Sequence, residues 1–260
     1  MSRPLVAIGL ATLVAFVLTG SEVHSQGRVT PDDGSAPLLI GRIPHVVVPP
    51  RNPMTPEKIQ LGKALFFEEQ LSSDDTVACA TCHLPDAGGG DPRAAATAKA
   101  PGADGSMNTP DDEFGSFGVV AQNPSGNFEH SPIFGVARQV TGRGSPSVIG
   151  AAFFNTQFWD SRAKPVFRDL DGNVVLPAFA SLESQAVEPP LSSVEMSHVQ
   201  RDWDEITAKL ARVRPLALAS DLPAALEQFI GDETSYSPLF ERVFGDGAIT
   251  RERIAMAIAT

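Results

Sequence analysis

Apolar positions recur at helical spacing near both ends of the chain, while the stretch between them shows no sustained period. The extreme N-terminus is different again. Ser2-Arg3 leads into an apolar run over 5–18 and then the small-residue site Val23-His24-Ser25. The run is short for a bilayer span, so this layout predicts a signal peptide over 1–25 and export to the periplasm as a soluble protein. Pro44, Pro49, Pro50 and Pro53 then predict an extended arm over 26–54. A helix is expected from Pro56, with Thr55 as N-cap, because Ile59, Leu61, Gly62, Leu65 and Phe66 share one face. Leu71-Ser72-Ser73-Asp74-Asp75 breaks it.

Residues 84–135 are dominated by glycine, proline, alanine and acidic side chains, which predicts one long irregular segment. Over 166–176, Asp171-Gly172 lies between β-prone flanks and predicts a hairpin. Asp169-Leu170-Asp171-Gly172-Asn173 also matches half of a calcium loop, but Ala180 occupies the twelfth position, where a bidentate glutamate is required. Helical spacing returns over 199–213, 223–230 and 238–244, the last with Ser237 as N-cap and Gly245 beyond its end. A final helix from Thr250 carries Ile254, Ala255 and Ile258 and meets no stop signal before Thr260, so the natural protein is expected to continue.

The 260 residues carry a formal charge of −11, which removal of 1–25 leaves unchanged because Arg3 and Glu22 depart together. That balance argues against a nucleic-acid partner. Cys79 and Cys82 are the two cysteines of the chain, three positions apart, which rules out a disulfide framework. Cys79-Ala80-Thr81-Cys82-His83 has the spacing in which two thiols add to haem vinyl groups and the adjacent histidine reaches the iron. A structural zinc site would need a second pair of ligands, and neither a redox dithiol nor a disulfide would use His83. The expected fold is therefore an all-α c-type cytochrome domain with long irregular loops and a small β-hairpin insertion. On the far side of the iron the candidates are His130, Met107, Met196 or no protein ligand. An open position would admit peroxide, whereas a methionine would favour simple electron transfer.

These residues together resemble the N-terminal haem domain of the bacterial di-haem cytochrome c peroxidases, a family that includes the tryptophan-modifying enzyme of methylamine dehydrogenase maturation. The similarity runs from Asn52-Pro53-Met54-Thr55 through Leu61-Gly62-Lys63-Ala64-Leu65-Phe66-Phe67, Leu71-Ser72 and the cysteine motif. It continues at Arg143-Gly144-Ser145-Pro146-Ser147, Phe158-Trp159-Asp160-Ser161-Arg162-Ala163, Leu182-Glu183-Ser184-Gln185-Ala186 and Val194-Glu195-Met196. The resemblance implies a peroxidatic haem c domain over 55–260, with the second haem domain missing from this chain. It implies hydrogen peroxide as substrate, a small cytochrome c or cupredoxin as electron donor, and a homodimer as a candidate assembly. By position, Glu195 matches the distal acid–base glutamate and Trp159 the residue between the two haems, while Asp160 and Arg162 read as a structural ion pair. The family's removable distal histidine falls near Val136, with His130 the nearest histidine, and its calcium-holding asparagine falls at Gly144, which weighs against calcium. Two alternatives to peroxide reduction are a mono-haem electron carrier and oxidation of a protein side chain.

Overall fold

The computed structural model describes residues 45–260 apart from Ala96; the expected signal peptide and the arm as far as Pro44 lie outside the described residues. The helices are α1 (Pro56–Phe66), α2 (Cys79–Cys82), α3 (Ser181–Ala186), α4 (Trp203–Leu210), α5 (Ala224–Ile230), α6 (Ser237–Phe244) and α7 (Arg251–Ile258). Between α2 and α3 run the strands β1 (Lys99–Ala100), β2 (Glu113–Phe114), β3 (Phe117–Val120), β4 (Arg138–Val140), β5 (Phe167–Arg168) and β6 (Val174–Leu176). They pair in sequence order as three two-stranded antiparallel sheets.

The fold is thus mixed, and the all-α expectation is corrected on this point. Residues 84–135, expected to be irregular throughout, hold β1, β2 and β3. Strands of two to four residues are too short to leave a readable alternation, and Phe117↔Val140 and Val120↔Arg138 pair across an irregular register. The hairpin expected over 166–176 is β5–β6, whose turn has Gly172 at φ +85° and Asp169 Oδ1 accepting from Asn173 N at 2.8 Å.

Helix starts follow local chemistry. Thr55 caps α1 by accepting from Lys58 N at 3.2 Å, and Thr250 caps α7 by accepting from Arg253 N at 3.2 Å. The helix expected over 199–213 begins only at Trp203, because Asp202 takes the Glu205 N–H at 2.9 Å and becomes its N-cap. Ser237 lies inside α6 and Tyr236 is the capping residue, a correction to the expected Ser237 cap; Pro238 in the first turn tolerates either frame.

The core gathers around α1. Leu61, Ala64 and Leu65 are fully buried, together with Ile254, Ala255 and Ala257 of α7 and Leu239 and Phe240 of α6. Gly62 has a packing reason, since a Cβ there would lie 2.1 Å from the carbonyl oxygen of Ala257. Two buried polar clusters tie the elements at fixed points. Asn52 donates to Glu183 Oε1 at 2.9 Å and to Met256 O at 3.0 Å while accepting from Lys58 Nζ at 2.9 Å. Glu68, completely buried, accepts from Tyr236 OH at 2.5 Å, Leu216 N at 2.7 Å and Gln70 Nε2 at 2.9 Å. Among the described residues no helix is long and apolar enough to cross a membrane.

Gly62→Ala is expected to destabilise the fold by about 1–3 kcal/mol, because the helix–helix contact must open although alanine is the better helix former. Denaturant unfolding of the two proteins measures it, and equal midpoints would show that α1 and α7 do not need this approach.

Candidate active site

Both cysteines sit on α2, a single helical turn. A turn this short leaves its last carbonyls without helical partners. Thr81 O is taken by Arg93 Nη2 and Cys82 O by Ser145 Oγ, while Ala78 N donates to Thr81 Oγ1 at 2.9 Å. Arg93 is itself aligned by Asp91 through contacts of 2.8 and 2.9 Å. Burial works against the Asp91 charge, yet hydrogen bonds from Arg93 outweigh it and hold the carboxyl below its ordinary range. The cysteine turn is therefore clamped from the 91–93 loop on one side and from Ser145 on the other.

Burial pushes the Cys79 thiol up to about 12 and the Cys82 thiol up to about 11, with neighbouring negative charge adding to each. Thiols so placed stay protonated at neutral pH, which suits neither disulfide exchange nor thiolate ligation. Cys82 Sγ points at Phe117 O, 3.4 Å away on β3. His83 follows directly, its Nδ1 lying 3.1 Å from Gly89 O and 3.1 Å from Pro146 O. Both partners are acceptors, so Nδ1 carries the proton and Nε2 keeps the lone pair, as an iron-ligating imidazole requires. Gly89 comes this near only without a side chain, since its φ is +74° and a Cβ would meet Val148 Cγ2 at 2.6 Å. The residues present fit a haem c: two thiols on one turn, and an adjacent imidazole with its tautomer set.

Glu195 reaches the same region from the other half of the chain. It sits in a tight turn where Ser192 O accepts from Glu195 N at 3.1 Å, Met196 N at 3.0 Å and Ser197 N at 2.9 Å. Val119 N donates to Val194 O at 3.2 Å, Gln139 Nε2 to Ser193 O at 2.8 Å and Ser73 N to Met196 O at 2.8 Å. Half-buried, the Glu195 carboxyl is pushed up by burial, against the opposing pull of Arg162 and with the charge of Glu188 adding to the rise. Its own charge bears on both cysteine thiols. A cleft of about 800 Å³ lies against Arg162, Glu188 and Ser192 beside the β5–β6 hairpin; it does not border Cys79, Cys82 or His83.

The remaining expected residues are placed differently. Trp159 is 71 % exposed, with the Arg143 guanidinium 4.2 Å from its ring centre, so it is no core residue. Arg162 pairs with Asp160 at 3.2 Å and with Glu188 at 2.9 Å. His130 is exposed near the Ser131↔Gly135 bridge, and Met196 is packed in the core at 2 % exposure. Gly144 packs with a would-be Cβ 2.8 Å from Ala94 Cβ, and among the described residues no cluster of three or more His, Cys, Asp or Glu forms a metal site. Sequence reasoning missed Asp91, Arg93 and the role of Ser145. Asp91-Pro92-Arg93 carried a signal, since an aspartate two residues before a paired cation commonly turns the chain through its own side chain.

The family model described as "Di-haem cytochrome c peroxidase" matches residues 56–260. The chain is similar to cytochrome-c peroxidase IdrP1 of Denitromonas iodatirespirans, 42 % identical over 85 residues, or 33 % of this chain and 21 % of that protein. It is similar to methylamine utilization protein MauG of Methylophilus methylotrophus, 26 % identical over 215 residues covering 83 % and 42 %. To cytochrome c peroxidase Ccp of Escherichia coli it is 30 % identical over 192 residues, covering 74 % and 28 %. The chain thus spans less than half the length of these curated relatives.

Replacing both Cys79 and Cys82 with alanine is expected to abolish covalent haem attachment. Intact mass and haem staining after denaturation read this, and a chain that still carries covalent haem would rule the pair out as the attachment point.

Proposed function

The chain belongs to the di-haem cytochrome c peroxidase family, and from that premise we propose that it is the peroxidatic part of an exported enzyme that reduces hydrogen peroxide to two waters, using two protons and two electrons from a small redox protein. The observation that carries this reading is that β3 links Glu195 to the cysteine–histidine turn, with Phe117 O receiving Cys82 Sγ at 3.4 Å and Val119 N donating to Val194 O at 3.2 Å, and that the half-buried Glu195 carboxyl has its proton affinity raised by burial. Haem c bound through Cys79, Cys82 and His83 would supply the redox chemistry. Around it, His83 Nδ1–H is held by two carbonyls, which orient the ring. Glu195 is the base that takes the proton from one peroxide oxygen and returns it to the other as the O–O bond breaks. A carboxyl with raised proton affinity is suited to both halves of that exchange, since it takes the proton more strongly than an exposed carboxylate and is still acid enough to return it.

The electron-carrier alternative needs a methionine facing the iron, and the burial of Met196 in the core weighs against that residue. Trp159 keeps its proposed place in electron transfer, supported by an exposed ring under the Arg143 cation rather than by burial.

Glu195→Gln, in the haem-loaded protein, is expected to lower the rate of peroxide reduction by about 10²–10⁴-fold while leaving haem content unchanged. The sign of the pH dependence follows from the raised carboxyl: the base is lost as pH falls through its folded pKa, above the ordinary glutamate range, so the wild-type rate declines there. Steady-state peroxide consumption across pH would sink the assignment if the variant kept both the rate and the acid limb.

A further inference from the structure

The turn that carries Glu195 is fastened on its C-terminal side by His198, a residue the chemistry above does not use. Its side chain is 8 % exposed. Nδ1 lies 2.9 Å from Val199 O, and Nε2 lies 2.9 Å from Glu205 Oε2 on the first turn of α4. A carbonyl and a carboxylate both only accept hydrogen bonds, whereas a neutral imidazole has a single N–H. Both contacts are hydrogen bonds only when the ring is the imidazolium.

We propose that His198 is a positioning residue for Glu195: as imidazolium it locks the 192–199 segment to α4, and on losing its proton it releases that lock. The released partner is identifiable. Glu205 is 51 % exposed and returns to water at little cost, whereas Val199 O has Nδ1–H beside it, so the neutral ring keeps the Val199 contact and drops Glu205. Only Met196 and Ser197 separate His198 from Glu195, and Val199 N is tied to Gln122 O at 3.3 Å, so slack at His198 is passed back toward the turn.

Charged groups lie near the ring on two elements. Glu205 faces it from α4, and Arg201, buried and donating to Leu71 O at 2.7 Å, lies on the same segment. Asp74 and Asp75, in the loop that Arg201 holds, and Asp202 offset that guanidinium. The 122–128 loop packed over the ring, with the Gly126 Cβ position 3.8 Å from His198 Cδ2, has no charged side chain.

The inference rests on Glu195 as the acid–base group, and two measurements separate the failure of one from the failure of the other. The first is amide hydrogen exchange over 192–199 of the haem-loaded chain, compared from about pH 5 to 8. Once intrinsic exchange rates are corrected for, protection is expected to fall with rising pH in the wild type and to stay flat in His198→Gln, whose amide donates at all pH values. The same pH course in both proteins would overturn the latch, whether or not the protein reduces peroxide.

The second is the pH–rate profile for peroxide. The wild type is expected to show an alkaline limb that His198→Gln removes while keeping the acid limb, and a uniform loss of rate at every pH would mark His198 as merely structural. Glu205→Gln, at a half-exposed site, is the variant to read if the first does not fold. It is expected to move both the exchange transition and the alkaline limb down by about one pH unit, and an unmoved transition would overturn the proposal.

Discussion

Between the cysteine turn and Glu195 lies the single strand β3, and the distance between them depends on how closely that strand approaches the 192–197 turn. Gly118 makes the approach: a Cβ at this position would fall 1.7 Å from Val194 O and 2.9 Å from Glu195 Cα. The neighbouring Val119 N donates to Val194 O at 3.2 Å, and on the other side Phe117 O receives Cys82 Sγ at 3.4 Å. Three successive residues thus touch both halves of the site. Any side chain at 118 would push the Glu195 turn away from the strand, because the obstacle is backbone on both sides and cannot rotate aside.

That contact would be of little use if either partner were loose, and the surrounding structure explains why neither is. The cysteine turn is too short to be stable as a helix, so its order comes from outside, through Arg93 and Ser145 on its terminal carbonyls. The Glu195 turn likewise has no regular structure to lean on and is held by Ser73, Val119 and Gln139 from three different segments. Such scattered hydrogen bonds hold only on a rigid base. The base is the α1–α7 pair, with its backbone contact at Gly62, and the buried Asn52–Lys58–Glu183 group, which locks the approach to α1 onto α3 and α7. Burial raises Glu183 and lowers Lys58, each toward its neutral form, so this group adds specificity of docking more than net stability.

The legible part of this molecule was the part written in local pattern. Thr55-Pro56 marked the start of α1, Asp171-Gly172 the hairpin and Thr250 the last helix, and the cysteine motif supplied one part of the candidate site. Glu195 was found through resemblance and not through its neighbours, since nothing in Val194-Glu195-Met196 announces a carboxyl near a cysteine pair more than a hundred residues earlier. β1 to β4 stayed hidden because each strand is at most two alternation cycles long and its pairing is set by distant residues. Gly118 was invisible for the same reason: a glycine between Phe117 and Val119 reads as a weak strand position until the carbonyl opposite it is known.

The two halves of the site also differ in how they carry charge. The cysteine turn keeps its thiols protonated, chiefly through burial, and the nearby Asp91–Arg93 pair is engaged on Thr81 O. On the Glu195 side charges are kept in reserve. Arg162 is shared between Asp160 and Glu188, both partly in water, while its field and that of Glu188 act on Glu195 in opposite directions. Exposed pairs of this kind add little stability. Their effect is on proton affinity, because burial raises the Glu195 carboxyl most while Arg162 opposes the rise and Glu188 adds to it. The cysteine turn is thus held by hydrogen bonds from neighbouring segments, whereas the proton affinity of Glu195 is set by burial and nearby charge, so the second responds to pH where the first does not.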